Sequence, residues 1–216
     1  MTTRYDPVVF DLDGTLLDSG PTIVKAIELA CLRRGIDIPA DADLTGCVGP
    51  PLELALPRAL GPLDDLDALI EEYRSIYRPL AVAQTRAMEG AVETLSMLRE
   101  AAVRIAVATY KPTELAVTLL RATGMISLID LCRGRQSTND RRDKKAILLG
   151  VLGEMSPHGA EPLYVGDHAE DSQAARAARV DFVPFTGPES WREISAAVFD
   201  GLHGQDDGSH HDAAAR

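Results

Sequence analysis

The sequence predicts an α/β fold: a core built on a parallel sheet and interrupted, after its first strand, by an all-helical insertion. Short strand-like runs recur at Val8–Phe10, 104–109, 128–133, Leu163–Gly166 and 182–185, with helical patterns between most of them. That alternation implies βαβ units and a parallel sheet. Between Asp18 and about Val82 no strand pattern occurs, and apolar residues recur only at helical spacing. A chain of 216 residues exceeds one small module and falls short of two full-sized domains, which fits one core plus an inserted subdomain.

The first strand, Val8–Phe10, runs into Asp11-Leu12-Asp13-Gly14-Thr15. The two-residue period of a strand puts Asp11 and Asp13 on one face, at the carboxyl end where parallel sheets open their ligand crevice. Two close carboxylates repel unless a cation separates them, so the pair suits acid/base work or an oxygen-ligated metal. Helical spacing follows at 23–32, Leu52–Leu60 and 66–76. Pro39, Pro50, Pro51, Pro57, Pro62 and Pro79 punctuate these helices, and Gly61-Pro62 marks the turn between the last two. A helix at 90–101 returns the chain to the sheet.

The strand at 104–109 ends in Thr109-Tyr110-Lys111-Pro112, just before a helix beginning near Pro112. A hydroxyl and free amides there suit an anion, although a Thr before a helix is also an ordinary cap. Lys144 and Lys145 open a helix at 144–152, where a lysine opposes the helix dipole and needs an anionic partner unless it is simply solvated. Leu163–Gly166 leads to Asp167 and, one helical turn later, Asp171. Spacing i, i+4 directs both into one site, while helix N-capping would account for either taken singly.

Lys plus Arg number 22 against 33 Asp plus Glu, a net charge of −11, with no basic stretch to track a phosphate backbone, so a nucleic-acid partner is not expected. Hydrophobic residues at 45% and charged residues at 25% are ordinary globular usage. No apolar run reaches the roughly eighteen residues of a membrane span, and no leader pattern opens the chain, so a cytoplasmic protein without membrane contact is the expectation. Cys31, Cys47 and Cys132 are widely spaced and lack metal or redox spacing, which reads as reduced, partly buried thiols. Residues 200–216, rich in Gly, Asp and His, read as a disordered tail in which His210, His211 and Asp212 lack fixed metal geometry.

Together, Asp11 to Thr15, Thr109, Lys144 and Gly166-Asp167-His168-Ala169-Glu170-Asp171 resemble the motifs of the haloacid dehalogenase superfamily, in the family's order and spacing. D-x-D-G-T alone arises by chance at roughly one start in a hundred thousand. Val48-Gly49-Pro50-Pro51-Leu52 looks like the cap loop of the phosphoglycolate-phosphatase-like branch. The resemblance implies a Rossmann-like parallel core (1–17 plus 83–199) with a helical cap at 18–82. It further implies a phosphatase that uses magnesium (Mg2+) to hydrolyse a small phosphate monoester through an aspartyl phosphate. In that scheme Asp11 is the nucleophile and Asp13 the general acid and base. Thr109, the Tyr110 amide and Lys144 bind the phosphoryl group, with Lys145 as the fallback lysine. Asp11, Asp13, Asp167 and Asp171 serve the metal, Asp13 through its backbone carbonyl and Asp171 mainly through water. A phosphomutase of the same fold or a catalytically silent binding module are the alternatives, and a monomer or homodimer is expected.

Overall fold

The computed structural model describes residues 3–136, 140, 142–155 and 161–199. The expected tail at 200–216 lies outside them. Five parallel strands, β1 (Val8–Phe10), β4 (Ile105–Pro112), β5 (Leu131–Arg135), β6 (Leu163–Gly166) and β7 (Asp181–Pro184), form one sheet in the order β5-β4-β1-β6-β7. The chain winds outward from β1 to β5, then crosses back to place β6 on the other side of β1. That reversal is the switch point at which such sheets bind ligands, and it puts the carboxyl ends of β4, β1 and β6 side by side.

Alternation along the strands builds the core. Val9, Ala106, Ala108 and Tyr164 face one side, where Ile147, Leu148 and Val151 of α6 (Lys144–Met155) and Ala174 and Ala175 of α7 (Ala169–Ala178) cover them. Val8, Phe10, Ile105, Val107 and Val165 face the other. They pack with Leu95 and Leu98 of α4 (Ala91–Glu100), Leu119 and Leu120 of α5 (Thr113–Ala122), and Ile194 and Val198 of α8 (Ser190–Phe199). All three cysteines are free and buried. Among the described residues no helix is long and apolar enough to cross a membrane.

The segment after β1 holds α1 (Gly20–Arg34), α2 (Leu52–Leu60) and α3 (Leu66–Gln84). Ile27, Leu56 and Ile70 join these helices to the same apolar cluster as the second face of the sheet. Asp65 caps α3 by accepting the Ala68 N–H at 3.0 Å, and Gly35 ends α1 at φ +65°.

Three expectations need correction. Pro57 and Pro79 do not punctuate: both lie inside helices, because each deletes a single N–H while the apolar stripe runs on past it, in α3 as far as Ala81. A two-residue strand, β2 (Leu17–Asp18), pairs antiparallel with β3 (Arg86–Ala87) at the neck of the insertion, too short to carry any period. Leu128, expected to start a strand, instead closes a 3-10 turn (Ile126–Leu128), and β5 starts at Leu131.

Leu119 is fully buried and Leu54 is 57% exposed. Leu119→Ala is expected to lower unfolding free energy by about 2–5 kcal/mol, and Leu54→Ala to change it by no more than about 0.5 kcal/mol. Urea titration of both variants checks the layer assignment, and equal losses would contradict it.

Candidate active site

The last paired rungs of the central strands, Phe10 with Val107 and Phe10 with Val165, set the register of the site. Asp11 follows Phe10 directly, Thr109 stands two residues past Val107, and Asp167 two past Val165. The Asp11 N–H extends the ladder to the Val165 carbonyl at 2.8 Å. Beyond it the chain turns at Gly14, φ +81°, where a Cβ would come within 2.2 Å of Asp167 Oδ2. Only glycine permits both that backbone and that close approach.

Lys144 rather than Lys145 reaches Asp11, the expected nucleophile. Lys144 is buried, and its Nζ lies 2.7 Å from Asp11 Oδ1 and 3.0 Å from Asp171 Oδ1, whereas Lys145 is exposed. The anionic partner that a lysine at a helix start requires is therefore present, twice. The Tyr110 hydroxyl accepts the Lys144 N–H at 3.1 Å, and Nζ stands 5.0 Å from the Tyr110 ring centre.

Asp171 is fully buried. Its Oδ1 accepts the Tyr164 hydroxyl at 2.7 Å as well as Lys144, and its Oδ2 accepts the His168 N–H at 3.0 Å. It thus caps α7 and orients Lys144 at once. Asp167 precedes α7 instead of sharing a helical face with Asp171, because the helix begins only at Ala169. Its Oδ1 accepts the Thr15 hydroxyl at 2.9 Å, and its Oδ2 pairs with His168 Nδ1 at 2.8 Å. Thr109 is buried, and its Oγ1 accepts the Lys111 N–H at 3.2 Å, which pins the hydroxyl at the end of β4.

Asp13 faces away from Asp11 toward the helical insertion. Its Oδ1 accepts the Ser19 hydroxyl at 2.6 Å and its Oδ2 meets Lys111 Nζ at 3.0 Å. Lys111 donates in turn to the Tyr77 hydroxyl of α3 at 2.9 Å and sits over that ring. Ser19, Lys111 and Tyr77 escaped the sequence reading. The one signal was Lys111 itself, two residues past Thr109 on a strand's face.

Charge is unbalanced here. Burial pushes the Asp11 carboxyl up to about 7; Lys144 opposes the rise, and Asp171 and Asp167 add to it. Burial alone would lower Lys144, but Asp11 and Asp171 hold its ammonium above the ordinary lysine range. Burial likewise works against Lys111, and Asp13 and Tyr77 hold it high. Asp11 and Asp171 thus share one ammonium, and Asp167 beside them pairs with His168, whose imidazole it holds above the ordinary histidine range. Asp167, His168 and Asp171 present donor atoms within 4.8 Å of one another. An excess of carboxylate oxygens, with Asp167 able to approach the turn closely because residue 14 is glycine, fits a hard divalent cation.

Two cavities meet at this edge. One is small and lined by Asp11, Lys144, His168 and Asp171; the other, of about 120 Å3, is lined by Asp13, Lys111 and residues of the helical insertion. Gly49, Pro50 and Tyr110 border both. A Cβ on Gly49, φ +95°, would meet the His168 ring at 3.0 Å, so the loop before α2 closes directly over the cleft.

Residues 8–185 match the model of the haloacid dehalogenase-like hydrolases. The chain belongs to that family. It is 30% identical over 194 residues to a phosphoglycolate phosphatase from Agrobacterium fabrum, covering 86% of this chain and 83% of the relative, which fits the phosphoglycolate-phosphatase-like branch. It is also 34% identical over 176 residues to the tyrosine-protein kinase PtkA of Mycobacterium tuberculosis, covering 82% of this chain. The chain spans 60% of the length of that relative. The solved structure of PtkA matches with a TM-score of 0.75 at 34% identity, over 84% of this chain and 83% of that one.

Gly14→Ala is expected to destabilise the protein by about 1–3 kcal/mol, from the left-handed backbone and the approach to Asp167. Chemical denaturation measures it. A neutral result would mean that Asp167 does not rest against Gly14.

Proposed function

We propose that the chain is a magnesium-dependent phosphatase that hydrolyses a small phosphate monoester through an aspartyl phosphate on Asp11. The observation that carries this reading is the division of labour between the two acids. Asp11 is held by Lys144 at the small cavity, whereas Asp13 is held by Lys111 and Ser19 at the mouth of the larger one. One carboxylate is placed to attack phosphorus and the other to serve the departing group.

Asp11 and Asp167, with the backbone carbonyl of Asp13, would hold the cation, which when bound neutralises the repulsion between carboxylate and phosphate. Lys144 stabilises negative charge on the nucleophile and the transferring group, and Asp171 aims it. Thr109 and the Tyr110 amide bind phosphoryl oxygens at the end of β4. Asp13 gives a proton to the leaving oxygen, and the carboxylate so formed accepts a proton from the water that cleaves the aspartyl phosphate. Residues 18–82 act as a cap, whose contacts through Gly49 and Tyr77 exclude water from the acyl phosphate.

The 34% identity to PtkA favours a second reading in which a tyrosine hydroxyl, rather than water, accepts the phosphoryl group. A phosphomutase differs in the same respect. Phosphate release from phosphoglycolate, nucleoside monophosphates and sugar phosphates, with and without magnesium, is the test, run beside transfer from ATP to a tyrosine peptide. Magnesium-dependent release, reduced by at least about a thousandfold in Asp11→Asn, is expected. Release that persists in Asp11→Asn contradicts the mechanism, and transfer to the peptide without release selects the second reading.

Magnesium at about one hundred times its dissociation constant is expected to stabilise the wild type by about 2.7 kcal/mol, and Asp167→Asn by much less at the same concentration. Thermal unfolding reads the difference without any substrate. Equal stabilisation of both proteins would remove Asp167 from the proposed ligand set.

A further inference from the structure

The cavity beside Asp13 carries a charge pattern that cleavage of a phosphate ester does not by itself require. Arg74, Arg78, Lys111 and Arg135 reach it, against only Asp13 and Glu53, in a chain whose net charge is −11. Lys111 is engaged by Asp13. Arg74 donates through one nitrogen to Glu71 on its own helix, and Arg74 and Arg135 approach Glu53 Oε1 at 3.8 and 3.6 Å, longer than the roughly 2.7–2.9 Å of a charge-assisted hydrogen bond.

Arg135 is the informative residue. Its side chain is only 12% exposed, and its Nε is buried without a hydrogen-bond partner among the described residues. A buried guanidinium N–H is seldom left unmet, and an orphaned donor lining a cavity marks where a ligand atom belongs. The guanidinium lies 5.1 Å from the centre of the Tyr110 ring, the same ring that faces Lys144 Nζ. Arg135 and Lys144 thus both stand against Tyr110, which borders both cavities.

We propose that this cavity receives the leaving group of the ester, and that Arg135, assisted by Arg74, binds a second anionic group on it, a carboxylate or a second phosphate. The proposal rests on the phosphomonoester reading above and narrows it to substrates with two anionic ends. At about 120 Å3 the cavity holds roughly four waters' volume, which suits a short leaving group. Glu53 Oε1, 3.8 Å from Arg74 and 3.6 Å from Arg135, screens the repulsion between the two guanidiniums.

Matched ester pairs test it: phosphoglycolate against 2-hydroxyethyl phosphate, and 1,3-propanediol bisphosphate against 3-hydroxypropyl phosphate. In the wild type kcat/KM is expected to favour the anionic member of one pair by about tenfold or more, and the pair that does so names the anion. Arg135→Gln and Arg74→Gln, made separately, should bring that ratio toward one, and Arg135→Lys should retain part of it. Equal kcat/KM within both pairs, or a ratio that survives both glutamine variants, overturns the subsite while leaving the phosphatase standing. Calorimetric binding of unreactive phosphonoacetate, 1,3-propylenebisphosphonate and ethylphosphonate separates the two ideas. If no ester is cleaved, phosphonoacetate or the bisphosphonate binding more tightly than ethylphosphonate to the wild type, but not to Arg135→Gln, supports the subsite against the failed hydrolase reading. Equal binding of ethylphosphonate, phosphonoacetate and 1,3-propylenebisphosphonate, which carries a second phosphate-like group, overturns it.

Discussion

Three carboxylates crowd Lys144 and His168 at the carboxyl edge of the central strands, and much of the surrounding structure contains that charge. Asp11 is placed there by the ladder to β6, Asp167 by the turn at Gly14, and Asp171 by the first turn of α7. Lys144 reaches the first and third of these at 2.7 and 3.0 Å. In a buried site such charges interact far more strongly than in water, and Lys144, with His168 against Asp167, leaves a carboxylate in excess. The same excess is what the proposed cation would neutralise.

A second constraint ties the helical insertion to this edge. Lys111 touches Asp13 on the sheet side and Tyr77 on α3, and the Tyr77 ring stacks on Tyr73 at 5.1 Å between centres. Asp13 is therefore held by a lysine that also contacts α3. Moving α3 away would disturb Asp13 as well, because a buried lysine shared by two partners cannot lose one without cost.

Much of this was legible in the sequence, for physical reasons that can be named. β1 and β6 are fully buried parallel strands, so they read as uninterrupted apolar runs, and the acids immediately after them stand out. Helices of the insertion announced themselves by spacing, though α3 runs eight residues beyond its expected end at Ile76. What stayed hidden depends on contacts between distant segments. Ser19 and Tyr77 look like ordinary helix-cap and core residues until Asp13 and Lys111 are brought to them. Arg135 ends an edge strand, a normal place for a solvated charge, and only the packed cavity reveals that its Nε is buried. Lys144 rather than Lys145 points inward because it shares one helical face with Ile147, Leu148 and Val151.

The central claim is that Asp11 becomes covalently phosphorylated, and trapping that species tests it most directly. Protein mixed with a turned-over phosphate ester and magnesium, quenched in acid within milliseconds and digested, should yield the peptide containing Asp11 with the mass of one added phosphoryl group. Phosphorylation at any other residue, or steady turnover with no trapped adduct across all quench times, would contradict the account.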